Sequence, residues 1–309
     1  MSRWFNLNLH ILQNDYWQVG ILPDTGASIA FGRVHKHGAW IDVLRPTPES
    51  DYGNSSNCSS FIMLPWCNRI KDGVLRFDGQ EYQLRTTKDD GTARHGDVRG
   101  RAWTIDQSDA IHLRMSIRSE DFPDMNWPFK FSATAAYELD DDLFAWTLSL
   151  KNEDTRPMPA GFGHHPYFVR STTNEPILQI TCEKQFNLDM YMAVGSPVPL
   201  KSALDFRQSR SLSDVEFNDL LTARWNKMAA LINYPQNDLS IGMYADYLFE
   251  HILLYSPFGK PFFAVEPMTN ASDGFNLYVN KISGSGVFVL EPGEEKSGKV
   301  SLQISQHSS

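Results

Sequence analysis

Alternation of hydrophobic and polar residues with a period of two dominates this 309-residue chain. It is clearest over residues 111–118, where Ile, Leu, Met and Ile alternate with His, Arg, Ser and Arg. Residues 129–139 and 144–150 repeat the pattern on either side of three consecutive aspartates at 140–142. Because a short polar turn leaves no room for a crossover helix, the two runs are predicted to form a long antiparallel hairpin.

A second hairpin is predicted within residues 74–84, since the Asp-Gly pair at 78–79 supplies the residues that adopt positive φ in a tight turn. Further apolar or alternating runs, each bounded by Gly, Pro, Asn or Asp, predict strands. They lie at 177–186, 228–233, 239–244, 250–256, 261–266 and 286–290. Helical periodicity is scarce, and its best candidate is a turn or two around 214–224, opened by Ser213 or Asp214.

Many short strands separated by loops, with few short helices, indicate an all-β protein built as a large antiparallel β-sandwich. The chain is 41% hydrophobic and 21% charged, the ordinary composition of a globular protein with a sizeable core. Neither an internal repeat nor a low-complexity linker divides it. Since all-β sandwiches run to roughly 200–250 residues as one unit, residues 1–309 are predicted to form a single domain.

The formal net charge of −9 argues against a surface that binds nucleic acid or anionic lipid. No stretch resembles a signal peptide or reaches the roughly 20 apolar residues of a membrane span. Cys58, Cys67 and Cys182 form no CxxC pair and no zinc-ligand pattern, so neither a disulfide framework nor a metal site is expected. A reducing compartment follows, and the cytoplasm is the predicted location.

Glu266 ends a hydrophobic run that otherwise has the pattern of a buried strand. A carboxylate removed from water is a better general base than a solvated one. His164 and His165 lie between glycines and a Pro-Tyr-Phe segment, and histidine can donate or accept a proton near neutral pH. Adjacent residues on an extended chain point to opposite faces, so at most one of these histidines should reach a common site. The alternatives to a catalytic role are that Glu266 faces the solvent and that the two histidines serve only in packing.

Arg69 follows an apolar stretch, where a guanidinium is expected to be ion-paired or to donate to a ligand. His95 precedes Gly96, and a loop histidine without a function is its alternative explanation. Most of the abundant aromatic residues are expected to be core, and some to serve as apolar platforms in a binding site.

These motifs, in this order, resemble the aldose 1-epimerase (galactose mutarotase) family, from about residue 18 to about residue 303. Each is weak alone, and several in register are fairly specific. They are Leu22-Pro23, Gly26 to Ile29, Asp42 to Pro46, Asn68-Arg69-Ile70, His95-Gly96, His165 to Phe168, Glu266 to Thr269 with Asp273 and Asn276, and Leu290 to Glu294.

The resemblance implies a galactose mutarotase-like supersandwich that needs no metal or organic cofactor and acts on a monosaccharide. It implies that His165 is the general acid and Glu266 the general base, and that Arg69 and His95 hold sugar hydroxyls. His164 would support the position of His165 without taking part in the proton transfers. The mechanism requires that folding bring the imidazole and the carboxylate to opposite edges of one sugar-sized cavity. A monomer or a homodimer is expected.

This chain departs from the family pattern at one position. The family usually places a substrate-binding aspartate before the last third of the chain, in an Asp-x-x-Phe-Thr pattern. Alignment on Thr222 puts Asn218 at that position, while a one-residue shift would use Asp219. The resemblance thus predicts a mutarotase and leaves three alternatives. They are a non-catalytic sugar-binding or sensor protein, an epimerase-like enzyme for a hexose 6-phosphate, and a glycoside hydrolase. The phosphate alternative would need more cations than Arg69, and the hydrolase a second catalytic carboxylate.

Overall fold

The computed structural model describes residues 8–87, 89–171, 175–213 and 215–305. Over these residues two large sheets carry most of the chain, one of twelve strands and one of nine. We call them the front sheet and the back sheet. All strand pairs of both sheets are antiparallel, which confirms the predicted all-β sandwich.

The front sheet has ten strands in one continuous hydrogen-bonded order. From edge to edge they are His10–Gln13, Trp17–Leu22, Ser28–Lys36, Ala39–Leu44, Tyr167–Val169, Phe262–Met268, His251–Ser256, Phe217–Arg224, Cys182–Asp189 and Met192–Pro199. Two short strands, Ile62–Met63 and Gly163–His164, pair with each other beside this order, and Gly163 also pairs with Met268.

The back sheet runs Thr104–Ser108, His112–Arg118, Phe131–Asp140, Leu143–Asn152, Glu295–Ser305, Leu239–Ala245, Met228–Tyr234, Ile177–Ile180 and Arg210–Ser211. Three further sheets have two strands each: Met158–Ala160 with Phe288–Leu290, Arg69–Ile70 with Ala93–Arg94, and Val74–Phe77 with Gln80–Gln83. The structure thereby confirms both predicted hairpins, and Asp78 and Gly79 have positive φ in the turn of the second one.

Helices are short, as predicted. Gly274–Val279 is the α-helix of the described chain. Single 3₁₀ turns occur at Pro23–Thr25, Glu49–Asp51, Ser55–Asn57, Lys71–Gly73, Ser119–Asp121, Ser202–Leu204 and Pro235–Asn237. None of the described helices is long and apolar enough to cross a membrane.

The helix expected around 214–224 is wrong, because Phe217–Arg224 is a strand. Asp214, one of its two proposed caps, lies outside the described residues. The strand pairs on one side with His251–Ser256 and on the other with Cys182–Asp189. Two strand partners in the interior of a sheet outweigh a weak local helical pattern.

Aromatic side chains fill the space between the two sheets. The ring of Trp17 on the front sheet lies 5.9 Å from that of Phe144 on the back sheet. Phe168, Phe263 and Val265 of the front sheet belong to the same buried cluster. A second cluster, which includes Phe61, Tyr167 and Ala264, lies on the opposite face of the front sheet. That outer face carries the candidate site.

Candidate active site

Glu266 reaches the outer face of the front sheet through strand alternation. In the strand Phe262–Met268, Phe263 and Val265 point into the space between the sheets, whereas Ala264 and Met268 point away from it. Side chains two residues apart share a face, so the carboxylate of Glu266 also points outward. Only 1% of the residue is exposed.

His165 lies between two aromatic rings. Its backbone N–H donates to the carbonyl of Phe61 at 3.0 Å. Its imidazole stacks on the Phe61 ring at a centroid distance of 4.6 Å and lies 4.5 Å from the Tyr167 ring. The residue is 6% exposed. Packing on both sides fixes the plane of the imidazole, which a proton-transferring group requires.

The two predicted catalytic side chains meet at this point. His165 Nε2 lies 3.0 Å from Glu266 Oε1 and 3.5 Å from the hydroxyl of Tyr167. The first contact has the distance of an ion pair but not the angle of a hydrogen bond, so neither oxygen of Glu266 accepts a hydrogen bond from a described residue. Both oxygens are therefore buried without a hydrogen-bond donor among the described residues.

The relative position of the pair corrects one expectation. We expected the imidazole and the carboxylate at opposite edges of a cavity, whereas they are neighbours on one wall. The anomeric oxygen and the ring oxygen of a sugar are bonded to the same carbon. Two neighbouring groups can therefore exchange protons with both oxygens.

His164 points the other way. Its ring lies 5.2 Å from that of Trp146, a residue of the back sheet, and the residue is 1% exposed. Burial lowers the pKa of His164 to about 3, so the imidazole is neutral at pH 7. The structure does not bring His164 into the cavity, and its place is in the core between the sheets.

His165 and Glu266 lie in the wall of a cavity of about 500 Å³. This volume falls within the usual range for small-molecule sites. Predicted residues that line it with them are Arg69, His95 and Asn218. Asp273 and Asn276 lie outside this lining; Asp273 accepts from the backbone N–H of Lys71 at 2.9 Å and holds the neighbouring loop.

Arg69 is held in place by three neighbours. Its Nε donates to Asp90 at 2.8 Å and its Nη1 to the side chain of Asn68 at 3.1 Å. Its guanidinium also lies over the Tyr191 ring at 4.7 Å. Although burial opposes it, hydrogen bonds from Thr87 and other neighbours hold the pKa of Asp90 well below its usual range. Arg69 is thus a paired, oriented cation at the cavity wall.

His95 presents a neutral imidazole. Burial, reinforced by electrostatic repulsion from the neighbouring His165 and Arg99, holds the pKa of His95 well below its usual range. The backbone of His95 has a φ of 62°, and Nδ1 lies 3.1 Å from the sulfur of Met63. A neutral histidine can both donate and accept a hydrogen bond, which suits contact with a hydroxyl.

Asn218 and Asp219 are separated by the structure. Asn218 lies opposite Tyr255 in the front sheet, and both side chains line the cavity that contains Glu266. Asp219 does not line it; Asp219 lines an adjoining cavity of about 550 Å³ together with Lys201, and Asn218 lines that cavity as well. Burial raises the pKa of Asp219.

Several cavity residues were not among the predicted site residues. They include Ser56, Phe61, Asp89, Asp90, Arg94, Arg99, Tyr167, Tyr191, Glu216 and Tyr255. Tyr167 lies within the motif that suggested His165, and Arg94 directly precedes His95, so proximity in sequence could have indicated these two. The others come from distant loops and strands, and no local pattern marks them.

Taken together, these residues have the chemical groups that an acid–base site requires. They include a carboxylate with free oxygens, a neighbouring imidazole, several polar groups and aromatic walls, the usual constituents of a pocket that binds and ionises hydroxyl groups. Tyr167 stays protonated because burial, with the charge of Glu266, raises the pKa of its phenol. Among the described residues, no group of three or more His, Cys, Asp or Glu could hold a metal ion.

The comparison with protein families agrees with this fold. Residues 11–303 match the model of the aldose 1-epimerase family. The chain therefore belongs to the aldose 1-epimerase family.

Two Escherichia coli K12 proteins are similar in sequence. The uncharacterized protein YphB is 26% identical over 283 residues, which cover 86% of this chain and 91% of YphB. The uncharacterized protein YihR is 25% identical over 241 residues, 75% of each chain.

Two solved structures share the fold. A galactose mutarotase-like protein from Clostridium acetobutylicum superposes with a TM-score of 0.84 at 17% identity, and the match covers 97% of this chain and 99% of that one. A GalM/aldose epimerase homologue from Caenorhabditis elegans gives a TM-score of 0.83 at 17% identity with the same coverage.

Proposed function

We propose that this protein is a mutarotase that interconverts the α and β anomers of an aldose. The observation that carries the proposal is the 3.0 Å contact between His165 Nε2 and Glu266 Oε1 in the wall of a sugar-sized cavity. Membership of the aldose 1-epimerase family supports it.

In the proposed reaction Glu266 accepts the proton of the anomeric hydroxyl while protonated His165 gives a proton to the ring oxygen. The bond between the anomeric carbon and the ring oxygen breaks, and the open-chain aldehyde forms. Rotation about the bond between the first two carbons exposes the other face of the carbonyl. Reclosure reverses both proton transfers and regenerates the original protonation states. Each well-placed general acid or base contributes about 10²–10⁴-fold to the rate.

Arg69, His95 and Asn218 are proposed to bind the sugar hydroxyls. Arg69 can donate, and neutral His95 and Asn218 can both donate and accept. Hydroxyl groups need both kinds of partner. Tyr167 has its hydroxyl 3.5 Å from His165 Nε2 and is proposed to orient the imidazole.

The test is anomer exchange of glucose and galactose, measured by exchange NMR and by polarimetry on freshly dissolved α-anomers. We expect the protein to accelerate exchange, and Glu266→Gln to lower turnover by about 10²–10⁴-fold because Gln cannot accept the proton. Glu183→Gln is the matched control, since Glu183 is exposed on another strand of the front sheet.

Unchanged activity in Glu266→Gln would overturn the assignment of the base. Sugar binding without faster exchange in the unmodified protein would instead favour the non-catalytic sugar-binding alternative.

A further inference from the structure

One arginine of the cavity lacks an anionic partner. Arg69 and Arg94 form ion pairs with neighbouring aspartates. Arg99 forms neither an ion pair nor a side-chain hydrogen bond with any residue in the described part of the chain. Its guanidinium instead lies over the Phe61 ring at 5.1 Å. Cation–π contact offsets only part of the cost of removing a guanidinium from water.

Arg99 is half-buried and held by its backbone. Burial lowers the pKa of its guanidinium, although an arginine remains charged at neutral pH. Gly26, with φ of 66°, packs so closely that an added Cβ would lie 2.1 Å from the Arg99 carbonyl oxygen. The N–H of Gly26 also donates to the carbonyl of Arg101 at 2.8 Å. The segment that carries Arg99 is therefore fixed in position.

The guanidinium lies where two cavities meet. Ser56, Arg94 and Arg99 line both the cavity of Glu266 and an adjoining cavity of about 550 Å³. In the second cavity Arg85 and Arg101 form ion pairs with its two aspartates, Asp97 and Asp124. The residues shared by the two cavities are thus two arginines and a serine, with no carboxylate among them.

This junction lies near the proposed acid. The Phe61 ring, which Arg99 overlies, is the same ring that stacks on His165. His165 is proposed to protonate the ring oxygen of the sugar. In a pyranose that oxygen is bonded to the carbon bearing the exocyclic group. The exocyclic carbon is two bonds from that oxygen, so in the proposed complex we expect its substituent to lie on the His165 side of the site, toward Arg99.

We propose that Arg99, with Arg94 and Ser56, forms a subsite for an oxyanion on the exocyclic carbon, so that the preferred substrate is an acidic aldose. The inference rests on the proposed mutarotase function and names its substrate class. A guanidinium donates two parallel hydrogen bonds to a phosphate or a carboxylate, and either group would occupy this subsite.

The experiment compares kcat/KM for anomer exchange of glucose, glucose 6-phosphate and glucuronate, each corrected for its own uncatalysed exchange. We expect one or both acidic sugars to exceed glucose by about 10–100-fold, the effect of one charged hydrogen-bonded pair. The faster of the two identifies phosphate or carboxylate as the anion. Arg99→Met should remove most of this advantage, and Arg99→Lys should retain part of it because the charge remains.

Arg118→Met is the matched control, because Arg118 lies on the back sheet and its loss removes the same charge. Thermal unfolding of each variant checks the fold. If glucose exchanges as fast as both acids, or if Arg99→Met keeps the preference, the oxyanion subsite is overturned while the mutarotase proposal stands. If no sugar exchanges faster with the protein than without it, the mutarotase proposal itself fails.

Discussion

His164 and His165 are neighbours in sequence and belong to different regions of the molecule. His164 points between the sheets, against Trp146. His165 points to the outer face, beside Glu266. Both are buried, at 1% and 6% exposure, so burial does not distinguish them. The difference is what each ring faces, a closed aromatic core in one case and a cavity with a carboxylate in the other.

The comparison shows that the two faces of one β-sheet can have different roles, one packing in the core and the other lining the site. Alternation sends consecutive side chains to opposite faces, so one short segment can serve the core and the site at the same time. Phe168 packs in the core between the sheets, while Tyr167 contacts His165. The sequence therefore has to meet two unrelated demands at alternate positions.

Replacing the two histidines by the same residue gives the sharpest contrast. His165→Gln should lower turnover by about 10²–10⁴-fold, because glutamine cannot supply a proton to the ring oxygen. His164→Gln should change turnover far less and should instead lower the temperature of thermal unfolding. The measurements are anomer exchange by NMR and a thermal melt of each variant.

A loss of turnover in His164→Gln as large as that in His165→Gln, with an unchanged melt, would contradict the division between the two faces. A large fall in melting temperature for His165→Gln would show that this histidine also supports the fold.

Buried histidines away from the cavity should make stability depend on pH. Burial lowers the pKa of His251 to about 3, as it does for His164. In the unfolded chain these histidines take up protons near pH 6.5. Above that pH they are neutral in both states, so the free energy of unfolding has its full value there. It should fall as pH decreases from about 6.5 toward about 3, by about 2 kcal/mol per histidine at pH 5.

His251→Leu tests this dependence, because leucine fills the site without titrating. Urea unfolding at pH 7.5 and pH 5 should show a pH effect about 2 kcal/mol smaller than in the unmodified protein. His37→Asn is the control, since His37 is exposed and asparagine tolerates its positive φ. An identical pH effect in His251→Leu and His37→Asn would rule out the buried imidazole as its cause.

Much of the fold could be predicted because its signals are local. The Asp78-Gly79 turn and the alternation before and after residues 140–142 each specify a hairpin without reference to the rest of the chain. The strand at Phe217–Arg224 could not be predicted in this way. Its Leu220, Leu221 and Thr222 are all buried, and Ala223 has a φ of 58°, so the strand lacks regular alternation.

The candidate site was predictable only where a motif marks it. His165 and Glu266 were found through the family resemblance, and the structure brings them together across 101 positions of the sequence. Arg99 belongs to none of the motifs that carry the family resemblance. Its position depends on the close approach of Gly26 and the contact with Phe61, both of which are contacts between distant segments. Such contacts leave no local periodicity in a sequence.

The smallest expected effect concerns the neighbours Asn218 and Asp219, which differ in that Asn218 lines the cavity of Glu266 and Asp219 does not. Asn218→Asp places a charged acceptor beside the proposed sugar site and should raise kcat/KM for the neutral sugars by about fivefold to tenfold, because hydrogen bonds to a charged acceptor are stronger. The same change should weaken the preference for an acidic sugar through like-charge repulsion. Asp219→Asn, the reciprocal control, should leave the ratio of acidic to neutral substrates near its original value. If Asp219→Asn shifts that ratio more than Asn218→Asp does, then Asp219 takes the substrate-binding role, and the strand must present it to the cavity of Glu266 when sugar is bound.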